Sequence, residues 1–352
     1  MRVWLFSTHR SQETDLVKMW TLEGIEVQGV FDCYSPQRPP VIGVTDPESI
    51  PGREKNPVVV DNEEWSTIVE RDRDLRTTAE DFKGFDWYVM MEVPERARRV
   101  IHYAKMGLNV CVQCFGQETD DEDSTLVPAL KEYPRTHLVC YSEQVVNRYL
   151  KLGVSARQVH LIRFGFYPED YRPAGGWVGD LLCCMTAHNS INLRGEGCSW
   201  AQYRAISAGL PFLLVGKDTD KAGGIGEQSY DSLKLLYSRA LCYLSMGTKP
   251  APYTMAPIEA MMSGCPIMFY DNECGIRNEE WVTSLFVSSD VQDLRNFAAM
   301  IFDESLKGDG SDNDPVLLLS KKSKSVAMEY FNAHKQSKKW LQFFQKGMEP
   351  LP

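Results

Sequence analysis

Short apolar runs alternate with amphipathic stretches along most of the chain. Arg2 to Ser7 reads as a buried strand. A helical pattern over Glu13 to Glu23 stops at Gly24, and Ile25 to Val30 forms a second strand. Trp87 to Met91, Asn109 to Gln113 and His137 to Tyr141 are further strands. Ser142 stands where a helix cap is expected, before a helix over Glu143 to Leu150 that ends at Gly153. Val159 to Arg163 is the next strand. Later strands are predicted at Leu181 to Thr186, Pro211 to Val215, Leu241 to Leu244, from Pro266, and at Leu285 to Val287. Helices are expected over Trp200 to Ala208, Ser229 to Leu236, Val291 to Asp303 and Ser325 to Phe344. Strands that are apolar on both faces, separated by helices, predict parallel sheets covered by helices, the α/β class. Tyr34 to Asp61, rich in Pro and Gly, is expected to be irregular.

A length of 352 residues is enough for two domains with separate cores. Ala174-Gly175-Gly176 is the natural linker, dividing 1–173 from 174–324, with 325–352 as a last helix that packs back on the first domain. Hydrophobic residues make up 43% and charged residues 24%, as in soluble globular proteins. No apolar run is long enough to span a bilayer, and the first strand is too short for a signal-peptide core, so cytoplasmic residence is expected. The ten cysteines lie mostly inside apolar runs, where reduced, buried thiols are expected. A net charge of −10 argues against bulk attraction to nucleic acid. Basic clusters at Arg96, Arg98 and Arg99 and at Lys321, Lys322 and Lys324 leave room only for a local groove.

The densest chemistry lies between Leu235 and Ile276. A strand enters a loop of small residues and prolines, and a helix opens near Ala256 with Glu259 in its first turn. Loop and helix amides of Thr254, Met255 and Ala256 would form an anion site. A carboxylate on the same turn suits the vicinal hydroxyls of a ribose. Phosphate and ribose together mean a nucleotide, and here a nucleotide-sugar is expected. Tyr253 either closes such a pocket or packs. Upstream, His188 and Asn189 follow a strand and precede Arg194-Gly195.

Ile258-Glu259-Ala260-Met261-Met262-Ser263-Gly264-Cys265-Pro266-Ile267 resembles the donor-site signature of the large retaining family of sucrose-synthase-like and bacterial glycan-building glycosyltransferases. The resemblance implies the GT-B fold, two Rossmann-like domains facing each other across a cleft. It implies Glu259 on the ribose and Arg194-Gly195 on the diphosphate, with Arg in place of the family's Lys. It departs at the first Glu of the family's paired glutamates, where this chain has Ala251, and at the Gly-Phe-Gly turn, which is Pro252-Tyr253-Thr254 here. The implied activity is transfer of a sugar from a nucleoside-diphosphate sugar, a UDP-sugar foremost, to a hydroxyl acceptor, with retention favoured. Acid–base residues are expected from the first domain, at His9 after the first strand and Glu92 after the third.

The acceptor is expected to be a glycan. Viral glycosyltransferases that modify hydroxymethylated DNA share the fold and provide an alternative, based on His9, Arg10 and the Arg96 to Arg99 cluster. A non-catalytic nucleotide-sugar-binding protein is a third reading, consistent with Ala251. No metal or other cofactor is expected: Asp218-Thr219-Asp220 and the run Asp120 to Asp123 read as polar surface, and Cys111-Val112-Gln113-Cys114 lacks a second ligand pair. Neither a Walker A sequence nor a Gly-x-Ser-x-Gly elbow occurs.

Overall fold

The computed structural model describes residues 1–7, 10–31, 68, 71–72, 74–91, 95–116, 119–171, 176–249, 251, 253–273, 275–307 and 313–348. The chain forms two compact units. One comprises Met1–Gly165 and Ala333–Pro352, the other Phe166–Asn332.

The first unit contains β1 (Arg2–Ser7), α1 (Arg10–Leu22), β2 (Glu26–Phe31), β3 (Trp87–Met91), α2 (Arg96–Lys105), β4 (Asn109–Cys114), α3 (Asp120–Glu132), β5 (Thr136–Cys140), α4 (Glu143–Lys151) and β6 (Val159–Leu161). Its sheet order is β2-β1-β3-β4-β5-β6, and the recorded pairs are parallel. β3 is buried along its whole length, as a central strand covered on both faces must be.

The second unit contains β7 (Leu181–Ala187), α5 (Ile191–Arg194), α6 (Trp200–Ser207), β8 (Phe212–Val215), α7 (Tyr230–Arg239), β9 (Ala240–Ser245), α8 (Met255–Met262), β10 (Ile267–Tyr270), β11 (Phe286–Ser288), α9 (Val291–Lys307) and α10 (Pro315–Tyr330). Its sheet order is β11-β10-β9-β7-β8, again parallel. The chain then re-enters the first unit as α11 (Ala333–Gly347).

Three features differ from expectation. The units part at Gly165 rather than at the glycines after 173. The reason is that Phe166 is already tied to the second unit: its N–H donates to Phe331 O at 2.8 Å, and Tyr171 faces Glu259. The predicted terminal helix is two helices, broken at Phe331 and Asn332. Phe331 is fully buried against Tyr253 and Trp281, and that insertion stops α10 before α11 turns to dock on α1 through Trp20 and Trp340, 5.0 Å apart. The carboxylate run Asp120 to Asp123 is the first turn of α3, capped by Thr119 and Glu122, with Asp123 turned inward to Arg148 and Tyr149.

Candidate functional site

β7, β8, β9 and β10 all end on the same edge of the second sheet. The strand order reverses between β7 and β9, so the loops that leave them diverge and open a crevice, the usual ligand position in open α/β sheets. His188 follows β7 and Thr248 follows β9. His188 Nε2 lies 3.3 Å from Thr248 Oγ1, and its Nδ1 lies 3.0 Å from the Asn189 carbonyl oxygen. The carbonyl can only accept, so Nδ1 carries the proton and Nε2 accepts from the threonine hydroxyl. Burial, reinforced by nearby Arg194, lowers the His188 pKa to about 4. The ring is therefore neutral at pH 7.

The neighbouring loops lock to this one. Asn189 Oδ1 accepts from Lys217 N at 3.0 Å, and Ser190 Oγ donates to Asp218 at 3.0 Å. Gly216 has φ +134°, and a Cβ there would meet the His188 carbonyl oxygen at 2.5 Å, so only glycine lets the β8 loop approach this closely. Ser190, Ser199, Asp218 and Glu273 hold left-handed backbone at φ 53°, 55°, 62° and 66°. Of the six described non-glycine residues in that region, these four sit on this one edge. Such conformations are costly, and they persist where surrounding contacts dictate the loop shape. Asp218 is also paired with Lys221 at 2.6 Å, so the Asp218-x-Asp220 pattern is a loop brace.

Arg194 closes α5 and is exposed, with no ion-pair partner among the described residues. Gly195 follows it with φ +54°. Across the crevice, α8 starts after Thr254, whose side chain makes no capping bond, and its first turn contains no acidic residue. The Met255 and Ala256 amides are thus not consumed by a cap, while Pro257 has no N–H to offer. Met255 and Ala256 are half-buried. Tyr253 packs inward, 4% exposed, edge-on to Trp281 and Phe331.

Glu259 does not lie in the first turn of its helix. α8 begins at Met255, so Glu259 falls in the second turn and is 6% exposed. Its two carboxylate oxygens accept from Tyr171 and Tyr237 hydroxyls, each at 3.4 Å. Residues 88 and 22 positions away along the chain supply those partners. No local pattern could have revealed them.

In the first unit, His9 and Glu92 lie outside the described residues. The strands that precede them, β1 and β3, are neighbours, with Ser7 paired to Met91. The arginine cluster does not make a basic face. Arg99 is buried and bonded to Asp72 at 3.0 Å, and Arg98 pairs with Glu95 at 2.8 Å. Cys111 and Cys114 stand three apart in one strand, so they point to opposite faces and cannot share a metal. Among the described residues no group of three or more His, Cys, Asp or Glu side chains could hold a metal ion, and no described helix is long and apolar enough to cross a membrane.

No protein-family model matches the chain, and no curated protein matches it in sequence. Solved structures do. Anabaena Alr3699/HepE, crystallised with UDP, is similar with a TM-score of 0.68 at 11% identity, covering 98% of this chain and 100% of that one. A glycosyltransferase from Rickettsia africae gives a TM-score of 0.69 at 10% identity, covering 99% of each chain. Sucrose-phosphate synthase from Thermosynechococcus elongatus gives 0.64 at 15% identity, covering 98% of each. Likeness over nearly the whole length at such low identity is a likeness of fold: the chain has the GT-B fold, built from two Rossmann-like domains.

Proposed function

We propose that the protein is a glycosyltransferase that moves a sugar from a UDP-sugar to a hydroxyl of a glycan, with retention. One observation supports this most. An exposed, unpaired Arg194, a neutral His188 and an uncapped helix start at Met255 gather at the strand-order reversal of one sheet. Such an arrangement suits an anion, and no ion-pair partner of Arg194 occurs among the described residues. HepE, of the same fold, was crystallised with UDP-glucose.

In this proposal Arg194 and the Met255 and Ala256 amides hold the diphosphate and stabilise the charge that builds on it as the sugar leaves. The bond from the sugar C1 to the phosphate oxygen breaks, the acceptor oxygen bonds to C1 on the same face, and its proton passes to the departing phosphate. No protein base is required for that path. The ribose hydroxyls take the Glu259 carboxylate in exchange for its long contacts to Tyr171 and Tyr237. His9 and Glu92 follow adjacent strands and are the residues proposed to orient the acceptor.

Calorimetry with UDP and with uridine tests the donor half. Arg194→Ala is expected to weaken UDP and leave uridine unchanged. Release of UDP from UDP-glucose, accelerated by a glycan acceptor, tests the transfer. Absence of UDP binding by the unmodified protein overturns the proposal. Binding without any turnover would favour a nucleotide-sugar-binding protein.

A further inference from the structure

At the donor loops, on the same edge of the second unit, lies a cavity of about 630 Å³. Its volume is that of ordinary small-ligand clefts, which span roughly 300–1,000 Å³. It opens between the start of α6 and the C-terminal ends of β10 and β11, lined by Trp200, Gln202, Lys249, Tyr270, Asn272 and Glu273 among others. Gly195 and Lys249 also belong to the loops that carry Arg194 and the α8 entrance, so the cavity adjoins the diphosphate site.

Its chemistry selects a class of ligand. Every charge on its wall is internally compensated: Asp271 pairs with Arg277 at 2.5 Å, and Glu273 with Lys249 at 3.7 Å. An ionic ligand would have to compete with these partners, the Glu273–Lys249 contact being a long, solvent-exposed one. What remains is two aromatic rings and a set of amide and hydroxyl groups. Trp200 is half-buried and stacked on Tyr203, with centroids 5.6 Å apart, so its ring is rigidly presented. Tyr270 is half-buried at the end of β10. Asn272 is anchored by its Nδ2 donating to Met246 O at 3.1 Å. Glu273 is held at φ 66°. Flat apolar faces beside fixed donors and acceptors suit the C–H faces and hydroxyls of a pyranose.

We infer that this cavity is a neutral-sugar subsite, which holds a unit of the glycan acceptor next to the donor. The existence of the subsite stands on the cavity; its assignment to the acceptor rests on the transferase proposal above. Saturation-transfer NMR with glucose, galactose and N-acetylglucosamine as probes, on the full protein saturated with UDP, tests it. At least one probe should receive saturation. Trp200→Ala and Gln202→Ala should each reduce its apparent affinity at least tenfold, with unchanged circular dichroism and UDP affinity. Arg194→Ala should weaken UDP and leave the sugar signal in place. No signal at tens of millimolar sugar, or a signal that survives both cavity variants, overturns the subsite. So does stronger, Lys249-dependent binding of glucose 6-phosphate. Sugar binding that depends on Trp200 in a protein that fails to bind UDP keeps the subsite and discards the transferase proposal.

Discussion

The two units are built by the same rule, parallel strands joined by helices, yet they place their charges in different ways. The first buries some of its ion pairs, while Arg76 and Arg98 keep theirs at the surface. Arg99 and Asp72 are 5% and 0% exposed and sit within a hydrogen-bonded group with Trp4, Tyr88 and Tyr103. Arg148 reaches the buried Asp123, and the buried Arg163 bonds Glu143. In the second unit every recorded ion pair keeps one partner at the surface. Arg194, Lys217 and Lys249 stand exposed where the strands end. A buried ion pair contributes to a unique fold and is unavailable to a ligand. A cation left at a strand end adds little to stability and is available. One scaffold can thus assign its cations to either task, and the loops after β7 and β8 carry Arg194 and Lys217, for which no ion pair is recorded among the described residues.

The sharpest way to break the comparison is at Asp72. Asp72→Ala strands the Arg99 guanidinium in the core and is expected to cost about 3–5 kcal/mol. Urea unfolding followed by tryptophan fluorescence measures it. A cost near that of a surface substitution would mean that the first unit does not depend on its inward charges.

A second test uses pH. His137 and His160 face each other at 3.2 Å, against Trp87 and Phe343. Burial lowers both to about 4 from the usual 6.5. For His137 the His160 ring adds to the effect; for His160 Lys346 does, against a bond at Arg157 that raises it. The unfolded chain therefore binds these protons at higher pH than the folded one. Stability is flat above about 6.5 and falls as pH drops toward 4. Between pH 7 and pH 5 the pair should cost on the order of 3–4 kcal/mol. His137→Gln with His160→Gln should flatten that slope in a series of denaturant midpoints.

In the second unit the prediction splits by residue. Arg194→Ala should change stability by less than about 0.5 kcal/mol, because an exposed, unpaired side chain holds nothing. Its UDP affinity should fall about 10- to 100-fold, since charge-assisted bonds contribute roughly 1.5–3 kcal/mol. Glu259→Ala should instead cost about 1–3 kcal/mol of stability, by removing the carboxylate that accepts from the buried Tyr237 hydroxyl and from Tyr171, which keeps its bond to Tyr230. Paired melting curves and UDP titrations read both. If the two variants behave alike, the contrast between buried and available charge fails within this unit.

The smallest effect is expected at Arg98, whose pair with Glu95 is exposed on both sides. Arg98→Ala should cost about 0–0.5 kcal/mol. Retention of a short hydroxymethylated duplex by the unmodified protein should be no stronger at low than at moderate salt, because the buried Arg99 cannot contribute a phosphate contact.

The order of strands and most helices was legible because it rests on local period and caps. Ser142 and Gly153 bracket α4, and the all-apolar β3 and β9 announce parallel sheets. α2 and α3 were not foreseen. In α3 a run of acids and an internal Pro128 mask a helix that a capping box and buried leucines hold. The loop that carries Met255 was marked by strand–loop–helix punctuation, whereas Arg194 was singled out through the family resemblance.

By itself the sequence determined the α/β class and the places where strands give way to polar loops. All of these follow from side-chain period and backbone preference within a dozen residues. Only the tertiary structure decided what each polar group is for. Glu259 looked like an exposed carboxylate and is buried under two tyrosines, Arg99 looked like surface charge and is a core cation, and the cavity at Trp200 joins residues from four separate loops. The physical reason is that burial and electrostatic pairing depend on distance in space. The chain brings Tyr171 to Glu259 and Asp72 to Arg99 only after it has folded.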